Sequence, residues 1–116
     1  MLVKFPSLAA AWVALAASAA FAAPTDSPGV TLTLKDHKFT PAAFTVPAGQ
    51  KVMLTVINQD AATEEFDSHD LQVERLVTPN GRARFSIGPL KLGSYRFMGE
   101  FHAQTAQGVV TVQGAP

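Results

Sequence analysis

Carboxylate and imidazole groups are concentrated in two short stretches of the sequence. Residues 60–74 contain six of the chain's nine acidic residues together with His69. The second stretch reads Met98-Gly99-Glu100-Phe101-His102. Six carboxylates held close together repel one another unless a positive charge lies among them. The two stretches therefore indicate a metal site, with a solvated acidic turn as the alternative.

The donor types narrow the choice of metal. The chain has no cysteine, which excludes thiolate zinc sites, iron–sulfur clusters, disulfides and a thiol nucleophile. A mixture of imidazole, carboxylate and thioether donors favours copper or iron over structural zinc. His37 stands apart, beside Lys35 and Lys38, and is interpreted as a surface residue.

Strands must position these groups, because period-2 alternation of apolar residues dominates the chain after residue 29. Predicted strands cover residues 30–34, 44–46, 50–58, 71–77, 82–87, 94–101 and 108–113. Turn signals recur at about ten-residue spacing, which is typical of a sandwich or barrel. In the strand at 94–101 and its continuation, alternation places Met98, Glu100 and His102 on one side. The sequence thus predicts an all-β sandwich of about seven short strands.

The N-terminal segment has the zones of a secretory signal peptide. Lys4 is followed by an apolar, alanine-rich run over residues 8–21 and by Ala20-Phe21-Ala22, a cleavage pattern of small residues. We expect residues 1–22 to be removed, leaving a tether at 23–29 and one domain at 30–116; the alternative is an uncleaved anchor. The expected location is periplasmic, with no membrane insertion after cleavage. Nine basic and nine acidic residues leave no charge excess, which argues against a nucleic-acid partner.

Three motifs resemble the cupredoxins: Phe44-Thr-Val-Pro-Ala-Gly49, Tyr95-x-Phe97-x-Gly99-x-x-His102 and Gly108-Val-Val-Thr-Val112. The resemblance implies a Greek-key β-sandwich. It places His102 at the family's C-terminal histidine ligand and Gly99 at its cysteine ligand. The loop histidine falls within residues 64–66 and the axial methionine near residues 105–106. An ordinary type 1 electron-transfer copper site is therefore not expected.

The departures from that pattern look like a more specific group. Glu64-Glu65-Phe66-Asp67-Ser68-His69-Asp70-Leu71 and Gly99-Glu100-Phe101-His102 resemble the cysteine-free cupredoxin-like periplasmic proteins of bacterial iron uptake, namely the EfeO cupredoxin domain and the small component of Ftr-type transporters. Those proteins are thought to bind copper or iron and to help oxidise ferrous iron before a permease takes it up. The resemblance implies a ligand set of Glu64, Glu65, His69, Met98, Glu100 and His102. Glu65 and Glu100 are its expected acidic ligands, and His102 is its strongest single candidate.

Three functions remain open at this stage. The first is a copper- or iron-binding protein that assists ferrous iron oxidation and works with an iron permease. The second is a periplasmic copper carrier, and the third is a metal-free β-sandwich adaptor. A hydrolase is disfavoured because the sequence has no nucleophile elbow. Whether the chain is itself an enzyme, and whether it forms a homodimer, stay open.

Overall fold

A computed structural model of the chain describes residue 3 and residues 28–114. Apart from residue 3, the predicted signal peptide lies outside the described residues, as do residues 23–27 of the predicted tether. The described residues form nine strands and one 3-10 turn. These are β1 (Gly29–Lys35), β2 (Lys38–Thr40), β3 (Ala43–Pro47), β4 (Val52–Asn58), β5 (Glu64–Ser68), β6 (Val73–Val77), β7 (Arg82–Ile87), β8 (Gly93–Gly99), η1 (Glu100–His102) and β9 (Gln107–Gln113). No helix within this part of the chain is both long and apolar enough to span a membrane.

The strands form two sheets that pack face to face, as the alternation predicts. One sheet has the order β2-β1-β4-β7, and the other has the order β3-β9-β8-β5-β6. Two neighbouring pairs, β1 with β4 and β3 with β9, are parallel, and the remaining pairs are antiparallel. Each sheet therefore joins strands from distant parts of the sequence, which confirms the predicted sandwich class.

The core between the sheets is built around phenylalanine rings. Phe66 is fully buried, and its ring centroid lies 5.1 Å from that of Phe97 and 5.2 Å from that of Phe85. Phe39 completes the group with an edge-on contact to Phe97 at 5.2 Å. Edge-on and offset rings at such separations stabilise a core beyond the area that they bury. The packed rings give a rigid base beneath the end of the sandwich where residue 64 lies.

The predicted strands agree with the structure where one face is apolar throughout. The segment at 82–87 is found as β7 with the predicted bounds, and Phe85 and Ile87 are buried as its alternation requires. Two strands, β2 and β5, were not predicted, so the described residues form nine strands rather than about seven. β6 begins at Val73, two residues later than predicted, because residues 69–72 form a turn.

The structure differs from the predicted strands at two places, and both differences change where the polar side chains point. Residues 64–68 form strand β5 within the segment that was predicted as a loop, so Glu64 faces inward and Glu65 faces outward. Strand β8 ends at Gly99, and residues 100–102 form η1, closed by a bond from the Ala106 N–H to the His102 carbonyl. The prediction that Met98, Glu100 and His102 share one strand face is therefore wrong, because the backbone leaves the extended conformation at Glu100.

Candidate metal centre

Glu64 is a buried carboxylate that closes one end of the sandwich. Its side chain is 2% exposed. Oε1 accepts hydrogen bonds from the backbone N–H groups of Glu65 (3.0 Å) and Phe101 (2.9 Å), and Oε2 lies 2.7 Å from Nδ1 of His102. A buried carboxylate is tolerated only where such partners replace water. These contacts fix the orientation of Glu64 toward His102.

The pairing of β5 with β8 explains why Glu64 meets η1. Phe66 lies opposite Gly99, and extending this antiparallel register by two residues places Glu64 opposite Phe101. The η1 turn then carries the His102 ring back over the end of β5. The imidazole is partly buried, with 30% of its side chain exposed. One nitrogen therefore faces a buried anion while the ring still reaches solvent.

Gly99 gives the Glu64 carboxylate the space that it occupies. A Cβ at residue 99 would lie 2.6 Å from Cδ of Glu64 and 2.8 Å from Cβ of Ala106. Carbon atoms do not approach so closely without displacement. The position that the cupredoxin resemblance assigns to the cysteine ligand is therefore filled by the carboxylate of Glu64, which reaches it from the neighbouring strand.

A second imidazole, that of His37, stacks on His102. The two ring centroids are 3.5 Å apart and the planes differ by 12°. His37 lies in the two-residue turn between β1 and β2, and its Nδ1 is 3.5 Å from Oδ2 of Asp60. Sequence analysis interpreted His37 as a surface residue. Its side chain is 42% exposed, yet the fold brings it against the strongest predicted ligand.

His37, Glu64 and His102 form what we call the inner cluster. One donor atom from each residue lies within 4.8 Å of the others. Two donors on one first-row metal ion can be at most about 4.2 Å apart, which is twice a bond length of roughly 2.1 Å. The three donors must therefore move closer together to share an ion, because three donors cannot all lie opposite one another across it. Imidazole with carboxylate fits copper or iron, so the donor set matches the metals that the sequence favours.

Burial and hydrogen bonding act in opposite directions on Asp60. Burial raises the pKa of its carboxyl group, whereas hydrogen bonds from the backbone N–H groups of His37 and Asp36 lower it. Electrostatic interaction with His37 and His102 lowers it further, and the net result is a pKa below the usual value for aspartate. Asp60 is therefore ionised near neutral pH and faces the inner cluster as an anion.

The other predicted carboxylates lie on the outer surface of the sheet. Glu65, Asp67, Glu74 and Glu100 form an outer cluster in which one oxygen from each lies within 4.8 Å of the others. Partial burial raises the pKa of Glu65, and a hydrogen bond with Glu100 and the charges of Glu100, Glu74 and Asp67 raise it further. The side chains of β5 alternate, so two adjacent glutamates belong to two different clusters.

Glu65→Gln is expected to leave the melting temperature at pH 7 equal or higher. The pKa of Glu65 is raised in the folded state, so its ionised form opposes folding, and this penalty fades as pH falls and the carboxyl becomes protonated. The gain over the parent protein should therefore shrink between pH 7 and about pH 4. Thermal unfolding of both proteins at the two pH values checks this. A lower melting temperature for the variant at pH 7 would show that Glu65 stabilises the fold.

The remaining two predicted ligands belong to neither cluster. His69 lies in the turn after β5, where it lines an open surface depression together with Asp67 and Glu74. Met98 points to the outer side of β8, since Phe97 and Gly99 on either side of it are buried, and its side chain is exposed. The structure thus brings Glu64 and His102 together, places Glu65 and Glu100 in a second group, and leaves His69 and Met98 apart.

A comparison with known families and structures identifies the architecture. A model of the cupredoxin-like domain matches residues 7–112. The uncharacterized protein RP394 of Rickettsia prowazekii is 45% identical over 83 residues, which cover 72% of this chain and 66% of that protein. The chain thus spans slightly less than two thirds of the length of this relative.

Two solved structures share the fold at low sequence identity. Auracyanin A, a blue copper protein from Chloroflexus aurantiacus, is 15% identical, with a TM-score of 0.65 over 76% of this chain and 100% of that one. The metal binding domain of the Cu(I)-exporting P-type ATPase CopA of Streptococcus pneumoniae, solved with Cu(I), is 14% identical, with a TM-score of 0.63 over 73% and 84% of the two chains. The fold, the register and the family match agree, and the chain belongs to the family of cupredoxin-like domains.

Proposed function

We propose that this protein binds a copper or iron ion at Glu64 and His102 and assists the oxidation of ferrous iron for uptake by a membrane permease. The observation that carries the proposal is the contact between the buried Glu64 carboxylate and His102, at the position where the cupredoxin resemblance places a thiolate. The signal-peptide pattern at residues 1–22 supports action in the periplasm.

The protein's own groups favour the oxidised form of a bound ion. Glu64 supplies a full negative charge in a buried position, where electrostatic interactions are stronger than in water. A negative ligand stabilises Fe(III) or Cu(II) more than the reduced ion, because the oxidised ion carries the higher charge. His102 contributes a neutral imidazole donor. A bound copper ion would supply one-electron redox chemistry, and each ferrous ion oxidised releases one electron to that copper or to an acceptor of the uptake system.

The outer cluster has a supporting part in this proposal. Its four carboxylates concentrate negative charge on one surface beside β5 and η1. Such a surface raises the local concentration of cations and speeds their arrival. The prediction that Glu65 and Glu100 are themselves ligands is the alternative to this supporting part, and titration of Glu100→Gln distinguishes the two.

The test is an anaerobic titration of the purified protein with Fe(II) and with Cu(II), followed by addition of air or Cu(II) while Fe(III) is monitored. We expect binding of both ions and iron oxidation faster than in protein-free buffer. His102→Ala should lower the affinity for the ions and the rate of iron oxidation, each by at least tenfold. His69→Ala is the matched control, because it removes the exposed imidazole that lies outside both clusters, and it should behave as the parent.

Other outcomes of this titration would point elsewhere. Binding without faster oxidation would favour a copper carrier, although the two methionines at 53 and 98 lie on outer sheet faces while Glu64 points inward. Absence of binding by the parent protein would contradict the proposed function. In that case the metal-free adaptor is the remaining function.

A further inference from the structure

We propose that His37 is a third ligand of the inner cluster and that Asp60 is the residue that positions it. This inference rests on the proposed function, since it concerns the same ion. The cupredoxin ligand positions fall after β4 and around the end of β8, whereas His37 comes from the turn between β1 and β2. Its ring stacks on that of His102 with the centroids 3.5 Å apart, and one of its nitrogens lies within 4.8 Å of a donor atom of His102 and of Glu64.

The backbone of the β1–β2 turn is held in an unusual conformation. Lys35 pairs with Lys38, so Asp36 and His37 are the two central residues of a two-residue hairpin. Their φ angles are 52° and 58°, in the left-handed region, as a type I′ turn requires. Asn-Gly and Asp-Gly are the usual sequences for such a turn, and histidine adopts the left-handed region more often than most residues. The Asp36-His37 pair therefore forms the turn with an imidazole at the position where glycine is most common.

Asp60 maintains this turn from a distant part of the sequence. Its Oδ1 accepts a hydrogen bond from the Asp36 N–H at 2.8 Å, and its Oδ2 accepts one from the His37 N–H at 3.0 Å. Oδ2 also lies 3.5 Å from Nδ1 of His37. One carboxylate therefore contacts both the backbone and the ring of the residue, which fixes the direction in which the ring faces.

Asp60 is itself fixed by a buried amide. Asn58 is 1% exposed, and its Oδ1 accepts a hydrogen bond from the Asp60 N–H at 2.9 Å. Its Nδ2 donates to the carbonyl groups of Ala62, Val77 and Thr78. These contacts tie the segment after β4 to the segment after β6. The position of His37 is therefore determined by the core, although the turn is at the surface.

The completed ligand set indicates the class of ion. Two imidazoles and one carboxylate with open coordination positions are the donor set of non-haem Fe(II) sites. Asp60 beside His37 gives that imidazole a carboxylate partner outside the ligand set, as is common for metal-binding histidines. The other side of His37 borders an open cleft of about 440 Å³ with Asp36, Asp60, Ala61 and Ala62. The imidazole of His37 is therefore reachable from solvent on the side of this cleft.

The experiment measures ion affinity and the number of nitrogen ligands in the parent, His37→Ala, Asp60→Ala and the double variant. Competition titration with Cu(II) and Fe(II) gives affinity, and nitrogen hyperfine structure in the Cu(II) electron paramagnetic resonance spectrum counts imidazoles. We expect two nitrogens in the parent and one in His37→Ala, with at least tenfold weaker binding. The ion affinity of Asp60→Ala should be tenfold to a hundredfold lower than that of the parent. The ion affinity of the double variant should be no lower than that of His37→Ala alone.

The controls separate this inference from the proposed function. His69→Ala should keep two nitrogens and the parent's affinity, and thermal unfolding without metal shows whether each variant is folded. If the parent binds and His37→Ala keeps both nitrogens and binds within threefold, the inference is overturned while the proposed function stands. If the parent does not bind either ion, both are overturned. If Asp60→Ala and His37→Ala lose affinity additively, Asp60 does not act through His37.

Discussion

Glu64→Gln is expected to weaken binding of Cu(II) and Fe(II) by roughly 30- to 700-fold. The change removes a buried negative charge beside His102, and losing one member of a buried, hydrogen-bonded charge pair costs about 2–4 kcal/mol. The glutamine carbonyl can still accept the backbone N–H groups of Glu65 and Phe101. The fold should therefore persist, and the loss should be specific to the ion. Competition titration with a chelator of known affinity measures the effect.

Glu65→Gln provides a matched control for this variant. The same chemical change is made one residue away on the opposite face of β5, within the outer cluster. We expect its ion affinity to stay within about threefold of the parent at physiological salt, because exposed charges are strongly screened. The reverse result, in which Glu65→Gln binds the ion weakly and Glu64→Gln binds it as the parent does, would place the ion in the outer cluster. The comparison thus assigns the ion to one side of a single strand.

Gly99→Ala is expected to destabilise the protein by about 1–3 kcal/mol, as overpacking of a dense interior does. The backbone at Gly99 has φ −89° and ψ 109°, which alanine adopts readily. The penalty therefore comes from the added Cβ, which would meet Cδ of Glu64 at 2.6 Å. In a domain of this size the melting temperature should fall by roughly 4–20 °C. Displacement of the carboxylate should weaken ion binding as well, and one set of samples provides both measurements.

Two further variants isolate the cause of that loss. Gly29→Ala is the control, since a Cβ at residue 29 has its nearest neighbour, the Met53 carbonyl oxygen, at an ordinary 3.8 Å. Its melting temperature should match or exceed that of the parent. Combining Gly99→Ala with Glu64→Ala should be less destabilising than the sum of the single changes, because the second change removes the side chain that the first one strikes. Additive losses would show that Gly99 acts independently of Glu64.

The sequence was informative where burial and hydrophobic pattern coincide. β7 was predicted with its bounds because Phe85 and Ile87 alternate with polar residues on the solvent side. β5 was missed because its inward positions carry Glu64 and Ser68, which are buried through hydrogen bonds rather than apolar contact. A pattern search that assumes apolar interiors interprets such a strand as a loop.

The candidate site was predictable only where the type of side chain identifies a metal donor, and not where its position depends on distant contacts. His102 and Glu64 were identified from donor type and resemblance, and the fold places them in contact. His37 was interpreted as a surface residue because it stands apart from the two acidic stretches, beside Lys35 and Lys38. Its position depends on Asp60, which lies 23 residues further along the chain and accepts the turn's N–H groups. The two-residue spacing between Leu34-Lys35 and Lys38-Phe39 was the one local signal of that hairpin.

The contact between Gly99 and Glu64 also constrains how this protein can evolve. A cysteine at residue 99 alone would drive its side chain into the carboxylate, so a thiolate cannot be introduced there by a single change without displacing Glu64. Shortening residue 64 first would remove the buried anion beside His102 before a thiolate stood in its place. The two positions are therefore coupled, and an exchange of carboxylate for thiolate requires both substitutions together.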